Sequence, residues 1–257
     1  MKISNYDNAQ GHWILASMGK RVLRPGGKEL TLKLINSLSV TEADDVVEFA
    51  PGIGFTAAIT IAKKPNSYVA VDAEEDIVNN LSRKLANDKV SFVHANAAST
   101  GLPADSKTKV YGEAVLTMQS DPRKAEIIAE AYRILKKGGL YAIHEISLAP
   151  VSLTTKEKQA ILKDLTQAIK VNARPLTEDE WRSLLIEAGF KVKKVETNGM
   201  LLLEIKRMIE DEGFFRFLKI ACNILRNKAA RKRILSMRRT FKKHKENMRA
   251  IMILAQK

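Results

Sequence analysis

The sequence predicts an α/β fold: a mostly parallel sheet with helices on both faces and an antiparallel last strand. Three observations predict it. Short apolar runs alternate with stretches of helical spacing. The runs are apolar at nearly every position, as expected of strands covered on both faces. An Asn-Gly pair, Asn198-Gly199, divides the last two runs and marks a hairpin. With 257 residues, 45% of them hydrophobic, the chain can bury a sizeable core. Its single cysteine, Cys222, excludes a disulfide framework and a cysteine-based zinc cluster.

The strand runs are residues 46–49, 68–71, 90–93, 111–116, 139–146, 190–197 and 200–205. Helical spacing fills 57–63, 76–86 and 123–135 between the first five. Residues 148–178 interrupt the alternation with a helix over 155–170 followed by Arg174-Pro175, an excursion long enough to form a lid. Residues 206–257 read as two basic helices broken near Arg226-Asn227. In the second, Ala230, Ile234, Met237, Phe241, Met248 and Ile251 draw one apolar stripe with a missed step near His244. The expected division is therefore 1–205 as the main domain and 206–257 as a helical extension packed on it.

Charge follows the same division. The net charge is +14, yet residues 213–257 hold 14 of the 43 Lys and Arg and only one acid, Glu246. The remaining 29 bases and 28 acids leave the body nearly neutral. Such a tail suits a solvated face over a packed helix pair, an anionic membrane surface, or nucleic acid. No aromatic interleaving marks an RNA-binding module, which disfavours nucleic acid. The start lacks the apolar core of a signal peptide, and no run approaches the ~20 residues needed to cross a bilayer. A cytoplasmic location is expected.

The sharpest local feature is VVEFAPGIGFTA at residues 46–57. A strand ends at Glu48-Phe49, a turn through Ala50 and Pro51 follows, and a helix begins near Thr56. Gly52 and Gly54 allow a ligand close to the helix N-terminus. Asp72, at the end of the second strand, is placed to accept hydrogen bonds from a ribose diol or to cap the next helix. The loop alone also satisfies the dinucleotide pattern G-x-G-x-x-A. The Glu48 carboxylate would repel a pyrophosphate at close range and suit the ammonium and sulfonium of S-adenosylmethionine.

The spacing Glu48-x-Ala50-x-Gly52-x-Gly54 resembles the E/D-x-G-x-G-x-G signature of class I S-adenosylmethionine-dependent methyltransferases, with Ala50 where glycine is usual. The resemblance continues in order through Tyr68–Asp72, His94–Ala97, residues 113–119 with Asp121-Pro122, the RILKKGG segment at 133–139, and residues 177–190. It covers roughly residues 40–205 and is closest to the small-molecule subgroup that includes ubiquinone- and menaquinone-type enzymes. It implies a Rossmann-like seven-stranded sheet and S-adenosylmethionine as cofactor, held by Glu48, Ala50, Pro51, Gly52, Gly54, Asp72, Ala73, Asn96, Ala97 and Thr117. Lys20 or Arg24 could pair the methionyl carboxylate. His12, Trp13, Met18 and Met118 are the expected substrate walls. His144 or Glu145 could act as a base and Gln119 could orient substrate, although His144 reads more readily as a satisfied strand-end histidine.

The expected activity is methyl transfer to a small molecule; the alternatives are an RNA methyltransferase anchored by its tail and a nicotinamide-dependent oxidoreductase. The Asn/Asp-Pro-Pro-aromatic run of adenine-N6 enzymes is replaced by Leu116-Thr-Met-Gln119, and Cys222 lies far from any cytosine-C5 nucleophile position. Four scattered histidines give no metal-ligand spacing.

Overall fold

The computed structural model describes residues 3–257. β1 (Asp45–Phe49), β2 (Ser67–Asp72), β3 (Val90–His94), β4 (Lys107–Glu113) and β5 (Leu135–Leu148) pair in parallel. β7 (Lys191–Gly199) and β8 (Met248–Gln256) complete a path of order β3-β2-β1-β4-β5-β8-β7. β8 is antiparallel to both neighbours, and the two-residue β6 (Leu176–Thr177) pairs with the end of β5. The strand order reverses between β1 and β4, and the crevice outside their carboxyl ends is where an open α/β sheet takes ligand.

Alternate strand residues feed opposite faces, as the pleat requires. Val47, Phe49 and Val110 join α5 (Asp121–Ile134) and α7 (Glu178–Glu187) in one core, where Trp181 is fully buried. Val46, Tyr68 and Tyr111 pack with Leu30, Leu34 and Ile35 of α2 (Gly27–Leu38) in the other. α3 (Phe55–Ile61) and α4 (Glu75–Leu85) follow β1 and β2. A third cluster forms a helical cap from α1 (Gly11–Ser17), α6 (Thr155–Ile169), α10 (Lys228–Lys243) and the segment after β7. Thr154 starts α6 through a reciprocal capping box with Glu157.

Two expectations are corrected. Residues 200–205 are not a strand, and Asn198-Gly199 is not a hairpin turn. The chain leaves the sheet there, with the Asn198 amide donating to Glu29 at 2.9 Å, and Met200, Leu202 and Leu203 enter the cap. The antiparallel slot is filled from the C-terminus instead. Residues 206–257 are accordingly not a helical extension: α8 (Ile205–Glu212), α9 (Phe214–Arg226) and α10 are followed by β8, inserted between β5 and β7. The run from Ala250 to Ala255 is apolar at every position and buried on both faces, which suits it to that slot better than the run at 200–205. The missed step near His244 is where α10 ends.

Candidate active site

A cleft of about 310 Å³ opens beyond the carboxyl ends of β1, β2 and β4, near the lower bound of the ~300–1,000 Å³ usual for ligand pockets. The glycine turn supplies Ala50, Gly52 and Ile53, the second strand Asp72, and the fourth strand Glu113 with Ala114, Met118 and Gln119. Gly54 caps α3 at φ 83°, a backbone conformation that favours glycine, and an added Cβ would lie 2.6 Å from the Leu81 Cδ2. Ala50 also sits at positive φ, 51°, which accounts for the usual glycine and costs roughly 1–2 kcal/mol here.

Asp72 faces the cleft and accepts from the Glu74 N–H at 3.0 Å; burial raises its pKa against the pull of backbone N–H groups. Glu113 is fully buried yet lines the cleft. Thr31 donates to its Oε1 at 2.6 Å, Thr56 to its Oε2 at 2.5 Å, and the Arg24 Nε lies 3.5 Å away. Burial alone would raise its pKa, but hydrogen bonds from His144 and Thr31 and the charge of Arg24 hold it down to about 2. Arg24 also reaches the Pro51 carbonyl at 3.5 Å, so it ties the glycine turn to Glu113. His12 and Trp13 of α1 close the other side. Burial and the nearby Arg24 lower His12 to about 4.

Several expected roles change. Glu48 is sealed under the sheet and does not line the cleft: Tyr68 and Tyr111 both donate to its Oε2, the latter at 2.7 Å, and burial pushes it up to about 7. His144 is buried with both nitrogens engaged. Its Nε2 accepts from the Gly26 N–H at 3.1 Å, which leaves Nδ1 to donate to Glu113 at 2.8 Å. A ring so occupied positions Glu113 and has no free lone pair for a substrate proton. Glu145 accepts from the N–H groups of Val115, Leu116 and Thr117 at 2.8–2.9 Å and from the Thr117 hydroxyl, so it holds the turn after β4. Thr117 is thereby structural.

Lys20 is buried between Asp211 and Glu212, at 3.5 and 3.7 Å, where burial lowers its pKa; it anchors the segment that carries Arg24 and does not line the cleft. Met18 packs in the cap. Asn96 accepts from Ala98 in its own turn, and neither it nor Ala97 lines the cleft, nor do Pro51 and Ala73. The residues that do line the cleft as anticipated are Ala50, Gly52, Asp72, Arg24, His12, Trp13, Met118 and Gln119. Glu113 was missed, although a lone acid inside the otherwise uncharged run at 111–116 was a readable signal.

A second, apolar cavity of about 60 Å³ adjoins the cleft. Leu165 and Ile169 of α6 and Met237 and Phe241 of α10 line it, and His12, Leu23, Ala114 and Met118 line both spaces.

Residues 46–139 match the family model of a methyltransferase domain. An uncharacterized protein of Haemophilus influenzae is 35% identical over 96% of this chain and 98% of its own. A demethylmenaquinone methyltransferase of Clavibacter sepedonicus is 32% identical over 50% of this chain and 53% of its own. Among solved structures, a phosphoethanolamine N-methyltransferase of Haemonchus contortus, in complex with phosphomonomethylethanolamine and S-adenosylhomocysteine, superposes with a TM-score of 0.71 at 14% identity, over 96% of this chain and 57% of its own. The oxidoreductase alternative falls with these matches. The cleft suits S-adenosylmethionine: a glycine turn open to close approach, Asp72 for a diol, and the ionised Glu113 for a cation. The family match over residues 46–139, the motif order and the sheet topology identify a class I S-adenosylmethionine-dependent methyltransferase domain in this chain.

Proposed function

We propose that this protein transfers a methyl group from S-adenosylmethionine to a small, largely apolar acceptor. The observation that carries the reading is the apolar cavity joined to the cofactor cleft at His12, Leu23, Ala114 and Met118. Burying an apolar ring or chain there is favourable by about 25 cal/mol per Å² removed from water. The cavity lining contains no Lys or Arg, so it offers no partner to a phosphorylated amine. The name of the Clavibacter relative supports a lipophilic acceptor.

Bound S-adenosylmethionine supplies the methyl electrophile, and the protein aligns, shields and orients. Asp72 would hold the ribose diol, and Glu113, whose oxygens are taken by Thr31, Thr56 and His144, would favour the methionyl ammonium through its charge. The apolar side chains of Leu23 and Met118 exclude water at the junction. His12, unprotonated at neutral pH, presents a lone pair that can accept a hydrogen bond from an acceptor hydroxyl. Gln119 lines the same wall and can orient the acceptor.

The test supplies methyl-labelled S-adenosylmethionine with a demethylated naphthoquinol, phosphoethanolamine or total RNA. Label in the organic phase with the naphthoquinol is expected, falling about tenfold or more in kcat for His12→Ala with cofactor affinity retained. Label in phosphoethanolamine or RNA, with none in the quinol, would overturn the reading.

A further inference from the structure

α9 is apolar on two sides. Its inner side packs on the cap through the fully buried Ile220 and the half-buried Phe217 and Ile224. Its outer side carries Phe214, Phe215, Leu218 and Leu225, exposed by 56, 85, 42 and 65%. At 100° per residue these four fall within about a third of the helix circumference, so they form one stripe. An exposed phenylalanine is unremarkable singly; two with two leucines on one helix face mark a docking surface.

Charge identifies what docks. Lys219 and Arg226 flank the stripe on the same helix, and Lys228, Lys232 and Arg239 lie exposed on α10. Among the described residues none of these five has an acidic partner, whereas Arg238 and Lys242 pair with Glu204 and Lys243 with Asp164. A second copy brought against this face would set two strongly basic surfaces together. Leucines offer nothing to base edges, so nucleic acid would leave half the stripe unused. Apolar side chains bordered along one edge by Lys219 and Arg226, with further unpaired cations on the next helix, match the interface of an anionic bilayer, with acyl chains below and acidic headgroups alongside.

We propose that α9 docks this protein on an anionic lipid surface, with Phe214, Phe215, Leu218 and Leu225 sunk into the acyl boundary and the flanking Lys and Arg over the headgroups. The helix is fixed close to the substrate end of the molecule. Asn223 donates to the Met18 carbonyl at 2.9 Å and Arg216 to the Gly19 carbonyl at 3.4 Å, both just past the helix that carries His12 and Trp13. Docking would bring the cavity mouth to a source of lipophilic molecules, but the contact itself does not depend on which acceptor is methylated.

Co-sedimentation with vesicles tests this on the full chain. Vesicles containing phosphatidylglycerol should pellet the protein, pure phosphatidylcholine should not, and raised salt should weaken the binding. The double variant Phe215→Ser, Leu218→Ser should lower partitioning by about tenfold or more while its melting temperature and S-adenosylhomocysteine affinity stay those of the parent. A Phe215→Trp variant should show a blue shift over the parent emission when phosphatidylglycerol vesicles are added. Failure to pellet overturns the proposal. So does pelleting that the Ser variants leave intact, which would reduce the effect to charge alone. A dimer in sedimentation velocity that the Ser variants dissociate would assign the stripe to a second copy, and RNA retention without vesicle binding would assign the tail to nucleic acid; either result also overturns it.

Discussion

Glu48 and Glu113 end neighbouring strands, yet their surroundings drive them in opposite directions. Glu113 has Thr31, Thr56, His144 and Arg24 around it and stays ionised. Glu48 has two tyrosine hydroxyls and no cation in contact, and burial lifts it from 4.5 to about 7. In the unfolded chain Glu48 ionises near 4.5; in the folded chain it holds its proton to about 7. The folded state therefore binds the extra proton between those values, and stability attributable to this group falls as pH rises from 4.5 to 7, then levels off. The cost at pH 8 is on the order of 3 kcal/mol. Glu48→Gln removes the ionisation while keeping the shape. Its melting temperature should match the parent at pH 4.5 and exceed it by several degrees at pH 8, measured by scanning calorimetry. Equal differences at both pH values would show that Glu48 is ionised in the fold and paired in some other way.

β8 shows what the C-terminal segment contributes as an element. Its Ile251, Met252, Ile253 and Leu254 are buried, and at about 1.5–3 kcal/mol each their burial rivals the ~5–15 kcal/mol total stability of an ordinary domain. It also satisfies the hydrogen-bonding edges of both β5 and β7. Ending the chain after Lys243 should therefore yield insoluble or unfolded protein, seen as loss of the soluble fraction and of the cooperative melt. A soluble truncated chain with a normal melt would show that β5 and β7 do not need the strand between them. The sequence made the first five strands legible because each holds a short run of mainly apolar residues set off from the next by a stretch of helical spacing. It hid β8 because Met248 and Ile251 also continue the helical stripe of Ala230 to Phe241, and periodicity alone cannot separate a buried strand from a buried helix. α2 went unread within the N-terminal segment, whose packing on the sheet is set by long-range contacts. The candidate site was legible where the chain itself dictates geometry, at Gly52, Gly54 and Asp72. It was illegible at Glu48, His144 and Glu145, because the partners that occupy those groups come from distant strands and turns.

Across the whole molecule the charge is concentrated away from the cleft. Residues 213–257 carry +13 of the net +14, so a high overall pI does not make the ligand site basic. The cleft sets Asp72, Glu74 and Glu113 against Arg21 and Arg24, a lining that disfavours a diphosphate and accepts a zwitterion with its own ammonium and carboxylate. That balance gives a global readout, because a ligand bound only by the folded state raises its stability by RT ln(1 + [L]/Kd). At a concentration of about 100 times Kd, S-adenosylhomocysteine should add ~2.7 kcal/mol, or roughly 5–10 °C in melting temperature for a chain of this size. NADH at the same concentration should add nothing. Asp72→Asn keeps the volume of the side chain and removes its charge, so about 1.5–3 kcal/mol of binding should be lost and most of the shift with it. Running the three melts in raised salt removes nonspecific attraction to the basic C-terminal helices. A shift by NADH equal to that by S-adenosylhomocysteine would mean that the carboxylates do not discriminate at this site, and an undiminished shift in Asp72→Asn would move the ribose to another part of the cleft.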